Sequence, residues 1–199
     1  MTRKTKGFTL IELLIVVAII AILAAIAIPN FLAAQIRAKA ARAKSEIRTL
    51  ATALESYYID NNLYPDDIDP QLWPWYVPYT VSTPIAYISS GLIDDPFRLG
   101  VVSAIPGTPG TRYRYINYDA ELNGHYTASA ESNFPHPGPT ATVSAGALKY
   151  GKWRLNSAGP DRSAGPNWGY STDDVYDPSN GTVSPGDIIR SQANPEVTQ

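Results

Sequence analysis

From Phe8 to Ile28 the chain reads FTLIELLIVVAIIAILAAIAI, with Thr9 and Glu12 as its only polar side chains, and Pro29 follows. At about 1.5 Å per residue this run forms a helix roughly 31 Å long, enough to cross a bilayer core. Beyond Pro29 the pattern changes to Ile36, Ala40, Ala43, Ile47, Leu50, Leu54 and Tyr57 or Tyr58, at steps of three and four residues. That spacing predicts a continuing helix with one apolar stripe, packed against a globular head. The other face carries Arg37, Lys39, Arg42, Lys44 and Arg48, which suits a solvated surface, anionic lipid or acidic neighbours. A proline inside the helix removes one backbone hydrogen bond and predicts a bend at Pro29. Asn61, Asn62 and Pro65 close the helix, because proline disfavours helical geometry in the residue before it.

After about residue 62 the helical period disappears and Pro, Gly and Tyr become frequent. Short β-favouring stretches remain: PIAYI at 84–88, RYRYINY at 112–118, KWRL at 152–155 and, more weakly, GVVSAI at 100–105. The expected fold class is α+β: a long N-terminal helix, membrane-inserted in its first half, packed on a small antiparallel sheet with a loop-rich C-terminal region. The expected divisions are a leader at 1–7, the helix at 8–61 with its membrane span at 8–28, and a β domain at 62–199.

Charge and composition narrow the function. The formal charge is −2, and loss of Arg3, Lys4 and Lys6 with a leader would leave the remainder more acidic, which gives no footprint for nucleic-acid binding. There is no cysteine, so neither a disulfide nor a thiolate metal site holds the chain together. The two histidines, His125 and His136, lie in Pro-rich surroundings with no triad or metal motif around them, and no enzyme activity is expected. LWPWYVPY at 72–79 gathers Trp73, Trp75, Tyr76 and Tyr79, a core covering or a sugar or protein platform. Asn180-Gly181-Thr182 fits a glycosylation acceptor, a pattern too short to act on. The basic residues before the apolar run predict a cytoplasmic N-terminus and an exported head. Ala25-Ile26-Ala27 also resembles a secretory cleavage site; Glu12 within the apolar run and the helix continuing beyond it argue against that reading.

An ionised carboxylate in hydrocarbon is expensive and marks a site with a partner, unless Glu12 simply reaches the headgroups by snorkelling. Gly7-Phe8-Thr9-Leu10-Ile11-Glu12, followed by the apolar helix and Pro29, resembles the processing site of type IV pilins and type II secretion pseudopilins. The resemblance implies cleavage after Gly7 by a prepilin peptidase and N-methylation of Phe8. It further implies a filament in which Glu12 of an incoming subunit meets the Phe8 amine of its neighbour.

NNLYP after the helix, LIDDPF at 92–97, YRY at 113–115 and WRLNSAGPD at 153–161 are similar to the major pseudopilin of type II secretion. That similarity implies a structural calcium ion in the C-terminal loop, with Leu155, Ser157, Asp161, Asp173, Asp174 and Asp177 as its ligands and Leu155 acting through backbone oxygen. Calcium takes six to eight oxygen ligands, and the loop is rich in oxygen-bearing residues, though without EF-hand spacing. Asp187-Ile188 offers a second match to the family's acidic end, and Glu121 to Lys149 is an extra segment. The implied function is a pseudopilus subunit driving export by type II secretion. A type IV pilin for adhesion, motility or DNA uptake is the alternative within filaments, and a secreted calcium-dependent protein or enzyme the alternative outside them. Implied partners are other copies of the chain, the peptidase, membrane lipid and an inner-membrane secretion or pilus assembly platform. The implied location is the bacterial inner membrane, single-pass with a periplasmic head, or extracellular in a pilus.

Overall fold

The computed structural model describes residues 7–67, 76–90, 93–98, 111–123, 141–162, 175–177, 179 and 185–196. One helix, α1 (Leu10–Asn61), dominates it. It begins two residues later than expected, because Thr9 takes an extended conformation and caps it, and it ends on Asn62 in the left-handed region, whose N–H donates to the Tyr58 carbonyl at 2.8 Å. The helix runs through Pro29, and next to that position the Asn30 side chain donates to the Ile26 carbonyl at 3.0 Å.

The head holds β1 (Arg114–Asn117), a short α2 (Tyr118–Asn123), α3 (Ala141–Tyr150), β2 (Trp153–Ser157) and β3 (Ile188–Ser191). The strands form one antiparallel sheet in the order β1-β2-β3, with Tyr115 opposite Leu155 and Leu155 opposite Arg190. Side chains alternate across a sheet, so Tyr115, Trp153, Leu155 and Ile188 face one way, toward the stripe on α1. Ala40, Ala43, Ile47, Leu50, Ala51, Ala53 and Leu54 are buried there, and Ile36 and Tyr58 pack at the margins. The opposite face holds Ile116 and Ile189, covered by Val143 and Tyr150 of α3 together with Tyr118. The extra segment therefore supplies a third layer, a helix on the back of the sheet that its sequence did not announce.

One expectation is corrected. PIAYI at 84–88 is not a strand: the N–H groups of Tyr87 and Ile88 both donate to the Val81 carbonyl, at 3.0 and 3.3 Å, so the segment closes a loop on itself behind the 3₁₀ turn Tyr79–Val81. The third strand is instead β3, drawn from the Gly- and Pro-rich tail. GVVSAI at 100–105, Trp73, Trp75, His125, His136 and Asn180 to Thr182 lie outside the described residues.

Carboxylates on α1 receive phenols and an indole from the head. Tyr113 donates to Glu46 at 2.6 Å, Tyr64 to Glu55 at 3.0 Å, Trp153 Nε1 to Glu55 at 2.9 Å, and Tyr87 to Asp60 at 2.9 Å. Burial first, then the adjacent carboxylate, raises the pKa of Tyr113 and of Tyr64, and burial raises that of Tyr115. Above the ordinary tyrosine value of about 10 the unfolded chain ionises these phenols while the folded chain keeps their protons. The folded state then binds more protons than the unfolded one, so stability is complete below about pH 10 and falls as pH rises through the alkaline range. Urea midpoints at about pH 8 and about pH 11 check this; equal midpoints would contradict it.

Candidate functional site

Two regions carry the residues singled out by sequence. At the N-terminus, Thr9 and Glu12 form a reciprocal capping box: Thr9 Oγ1 accepts from the Glu12 N–H at 3.3 Å, and Glu12 Oε2 accepts from the Thr9 N–H at 2.9 Å and the Thr9 hydroxyl at 2.8 Å. The first N–H groups of a helix have no partner within it, and this box satisfies two of them. Glu12 is thereby folded back against the start of α1, one residue from the Phe8 nitrogen that cleavage after Gly7 would turn into an amine. The signature Thr9-x-x-Glu12 was legible in the sequence as a cap, a second reason for the carboxylate that the apolar context obscured. Around it, Phe8, Leu10, Ile11, Leu13 and Leu14 are all exposed. The apolar part of α1 is long and apolar enough to cross a membrane, and none of it is buried within the protein.

Of the six positions suggested for calcium, four lie among the described residues. Leu155 is fully buried in the central strand, facing α1. The Ser157 hydroxyl donates to Asp95 at 2.8 Å. Asp161 accepts from the Gly186 N–H at 3.2 Å, which ties the turn after β2 to the approach to β3. Asp177 accepts from the Ser179 N–H at 2.8 Å, and its bonds to Ser179 lower its pKa. Asp173 and Asp174 lie outside the described residues. Among the described residues no three acidic or imidazole side chains converge.

Two acids outside the suggested ligand set organise this region: Asp95, which sequence reasoning did not single out, and Asp187, noted there only as a second match to the family's acidic end. Asp95, fully buried, accepts from the Phe97 N–H at 2.9 Å, the Ser157 hydroxyl at 2.8 Å and the Ala158 N–H at 2.9 Å. Burial raises its pKa, against the pull of these donors and of Arg98. Asp187, also buried, accepts from Asn156 Nδ2 at 2.7 Å, while its carbonyl accepts from the Tyr176 N–H at 3.0 Å. Asp95 was visible only as one of a pair in LIDDPF, with nothing to tell the buried acid from its exposed neighbour Asp94.

The chain matches the family model described as the prokaryotic N-terminal methylation motif over residues 2–28. It is 35% identical over 113 residues to the type II secretion system core protein G of Vibrio cholerae, covering 55% of this chain and 77% of that one. It is also 54% identical over 63 residues to the type IV major pilin protein PilA of Myxococcus xanthus, covering 32% of this chain and 29% of that protein. With the type IV wide pilus major component PilA4 of Thermus thermophilus the identity is 56% over 62 residues, 31% of this chain and 47% of that protein. The chain thus spans less than half the length of these two pilins. No solved structure matches it. A processing motif, a membrane-grade helix and a helix-on-sheet head define the class, and the chain belongs to the type IV pilin-like proteins, close to the pseudopilins.

Proposed function

We propose that this chain is the structural subunit of a pseudopilus, a filament that drives protein export by type II secretion. The observation that carries this reading is the match to a secretion core protein G over 113 residues, longer than α1 and the residues before it together, so that it takes in part of the head. The subunit performs no chemistry. It is cut after Gly7, methylated at Phe8 and polymerised through its helices, with the head on the outer side of the inner membrane and the energy supplied by a separate cytoplasmic ATPase. Glu12 holds the assembly register: in the filament it exchanges its bonds to Thr9 for the Phe8 amine of a neighbour, a charge pair favoured in hydrocarbon. A displayed type IV pilin is the second reading, favoured by the higher identity to the two pilins over their shorter matches.

The test is the intact mass and N-terminal sequence of the chain from its native membrane. A start at Phe8 with one added methyl group is expected. A start at Ile28 would mean a soluble secreted protein and remove the filament reading. Filament length separates the remaining two, since a pseudopilus stays within the envelope.

Calcium in the C-terminal loop belongs to the same proposal, supported by the oxygen-rich loop and the absence of cysteine. With a dissociation constant of about 10⁻⁴ M, about 10 mM calcium would stabilise the fold by about 2.7 kcal/mol. A rise in Tm on adding calcium, reversed by chelator and absent in Asp173→Ala/Asp174→Ala, is the expected result; equal Tm with calcium and with chelator would remove the ion.

A further inference from the structure

The charges on α1 and the residues just after it are segregated. Between residues 37 and 48 stand Arg37, Lys39, Arg42, Lys44 and Arg48 with Glu46 as the only acid, whereas 49–67 holds Glu55, Asp60, Asp66 and Asp67 and no base. Internal bonds use up part of each band. Glu46 takes Arg42 at 2.8 Å together with Tyr113, Glu55 takes Tyr64 and Trp153, and Asp67 is buried on the Asn117 N–H. On the basic side Arg48 is exposed, and on the acidic side Asp60 is exposed too, with one oxygen accepting from the Tyr87 hydroxyl at 2.9 Å.

Arg48 also has a second guanidinium beside it. The register that sets Arg190 opposite Leu155 turns Arg190 toward α1, and its Nε is buried without a hydrogen-bond acceptor. Among the described residues neither arginine forms an ion pair. Burial, then repulsion from Arg48, lowers the Arg190 pKa, with Glu55 pulling the other way. Glu55 draws on Arg190, while Arg48 is exposed with no acid among the described residues of its own subunit paired to it, so Arg48 is the guanidinium open to an anion from outside.

We propose that Arg48, with Arg190 behind it, is a docking site for the Asp60 carboxylate of a second copy of this chain. Lipid phosphate is out of reach: Arg48 stands about 30 Å along the helix from Ile28, while the headgroup layer is only about 5–8 Å deep. A second copy supplies that anion, because copies packed side by side through their apolar halves, as the filament reading requires, run parallel. Asp60 lies about 18 Å further along α1 than Arg48, so an axial offset of about 18 Å brings the acid of the lower copy beside the basic pair of the upper. Pairing of this kind fixes register and suppresses unstaggered bundles, in which like charges would face each other.

The inference rests on the filament reading, and filament yield in cells producing the full chain tests the two separately. Arg48→Asp and Asp60→Lys are each expected to lower the yield at least tenfold, and the double charge swap to restore most of it. Arg190→Gln should lower it less. The start at Phe8 should match the wild type in every variant, and the Tm should match in Arg48→Asp and fall only slightly in Asp60→Lys, which loses the exposed Tyr87 bond; this separates lost docking from lost folding or processing. Singles that assemble like the wild type, or a swap no better than the singles, would overturn the docking site and leave the filament intact. A wild-type chain that forms no filament would overturn both.

Discussion

Asp95→Ala is expected to destabilise the head by about 3–5 kcal/mol, more than any surface substitution on the same domain. The carboxylate is fully buried and takes three donors, two of them backbone N–H groups of Phe97 and Ala158 and the third the Ser157 hydroxyl. Removing it strands those donors away from water, and each buried donor left unsatisfied costs about 1–3 kcal/mol. The hydroxyl can turn elsewhere; the two amides cannot, because Phe97 sits in the turn that directly follows Asp95 and Ala158 directly follows β2. Asp95→Asn should recover only part of the loss. Its amide oxygen can keep Phe97 and Ser157, but its NH₂ would then face the Ala158 N–H, donor against donor. For a domain of this size Tm should fall by about 10 °C or more in the alanine variant, with the asparagine variant between it and wild type. An alanine variant within about 1 kcal/mol of wild type in urea would show that the loop and β2 do not depend on this carboxylate.

Gly159→Ala is expected to cost about 3 kcal/mol or more, well above the usual penalty for alanine at a left-handed position. Gly159 has φ of +63°, and a Cβ there would run into the carbonyl oxygen of Gly186, with the Gly186 carbonyl carbon at 3.3 Å and Asp187 Cα at 3.8 Å. All three are backbone atoms, so the strand leading into β3 must move as a unit. That shift pulls on the 2.7 Å bond from Asn156 to Asp187 and on the Gly186 bond to Asp161. Gly151→Ala is the control: its φ of +81° carries the same intrinsic strain, but the nearest atom is the end of the flexible Gln192 side chain. It should lose about 1–2 kcal/mol. Equal losses at the two positions would mean that conformation alone matters and that the Gly186 contact is relieved cheaply.

Both positions belong to the part of the protein that sequence reasoning read least well, and the contrast has a physical basis. In α1 each residue's environment follows from a local period: the stripe from Ala40 to Leu54 is buried as its spacing predicts, and Thr9 and Glu12 sit three residues apart because a helix N-terminus wants that spacing. β1 and β2 were legible for a related reason, since Tyr115 and Ile116, or Trp153 and Leu155, carry aromatic and branched side chains in short runs. β3 was not. Ile188 and Ile189 offer too short a run, set among Gly186, Pro185 and Asp187, and they form a strand only because β2 presents a free edge to them. PIAYI failed in the opposite sense: its β-favouring residues turned back on Val81 instead of pairing with the sheet.

The sequence by itself determined the membrane-grade helix, its processing motif, its buried stripe and the segregation of charge along it, because all of these depend on neighbours three or four residues apart or on composition. The tertiary structure alone decided that α3 covers the back of the sheet, that Asp95 and not Asp94 is the buried acceptor, that Glu46, Glu55 and Asp60 receive side chains of the head, and that Arg190 comes to lie beside Arg48. Each of these joins residues dozens of positions apart, where burial is set by what the rest of the chain brings alongside and no local pattern records it.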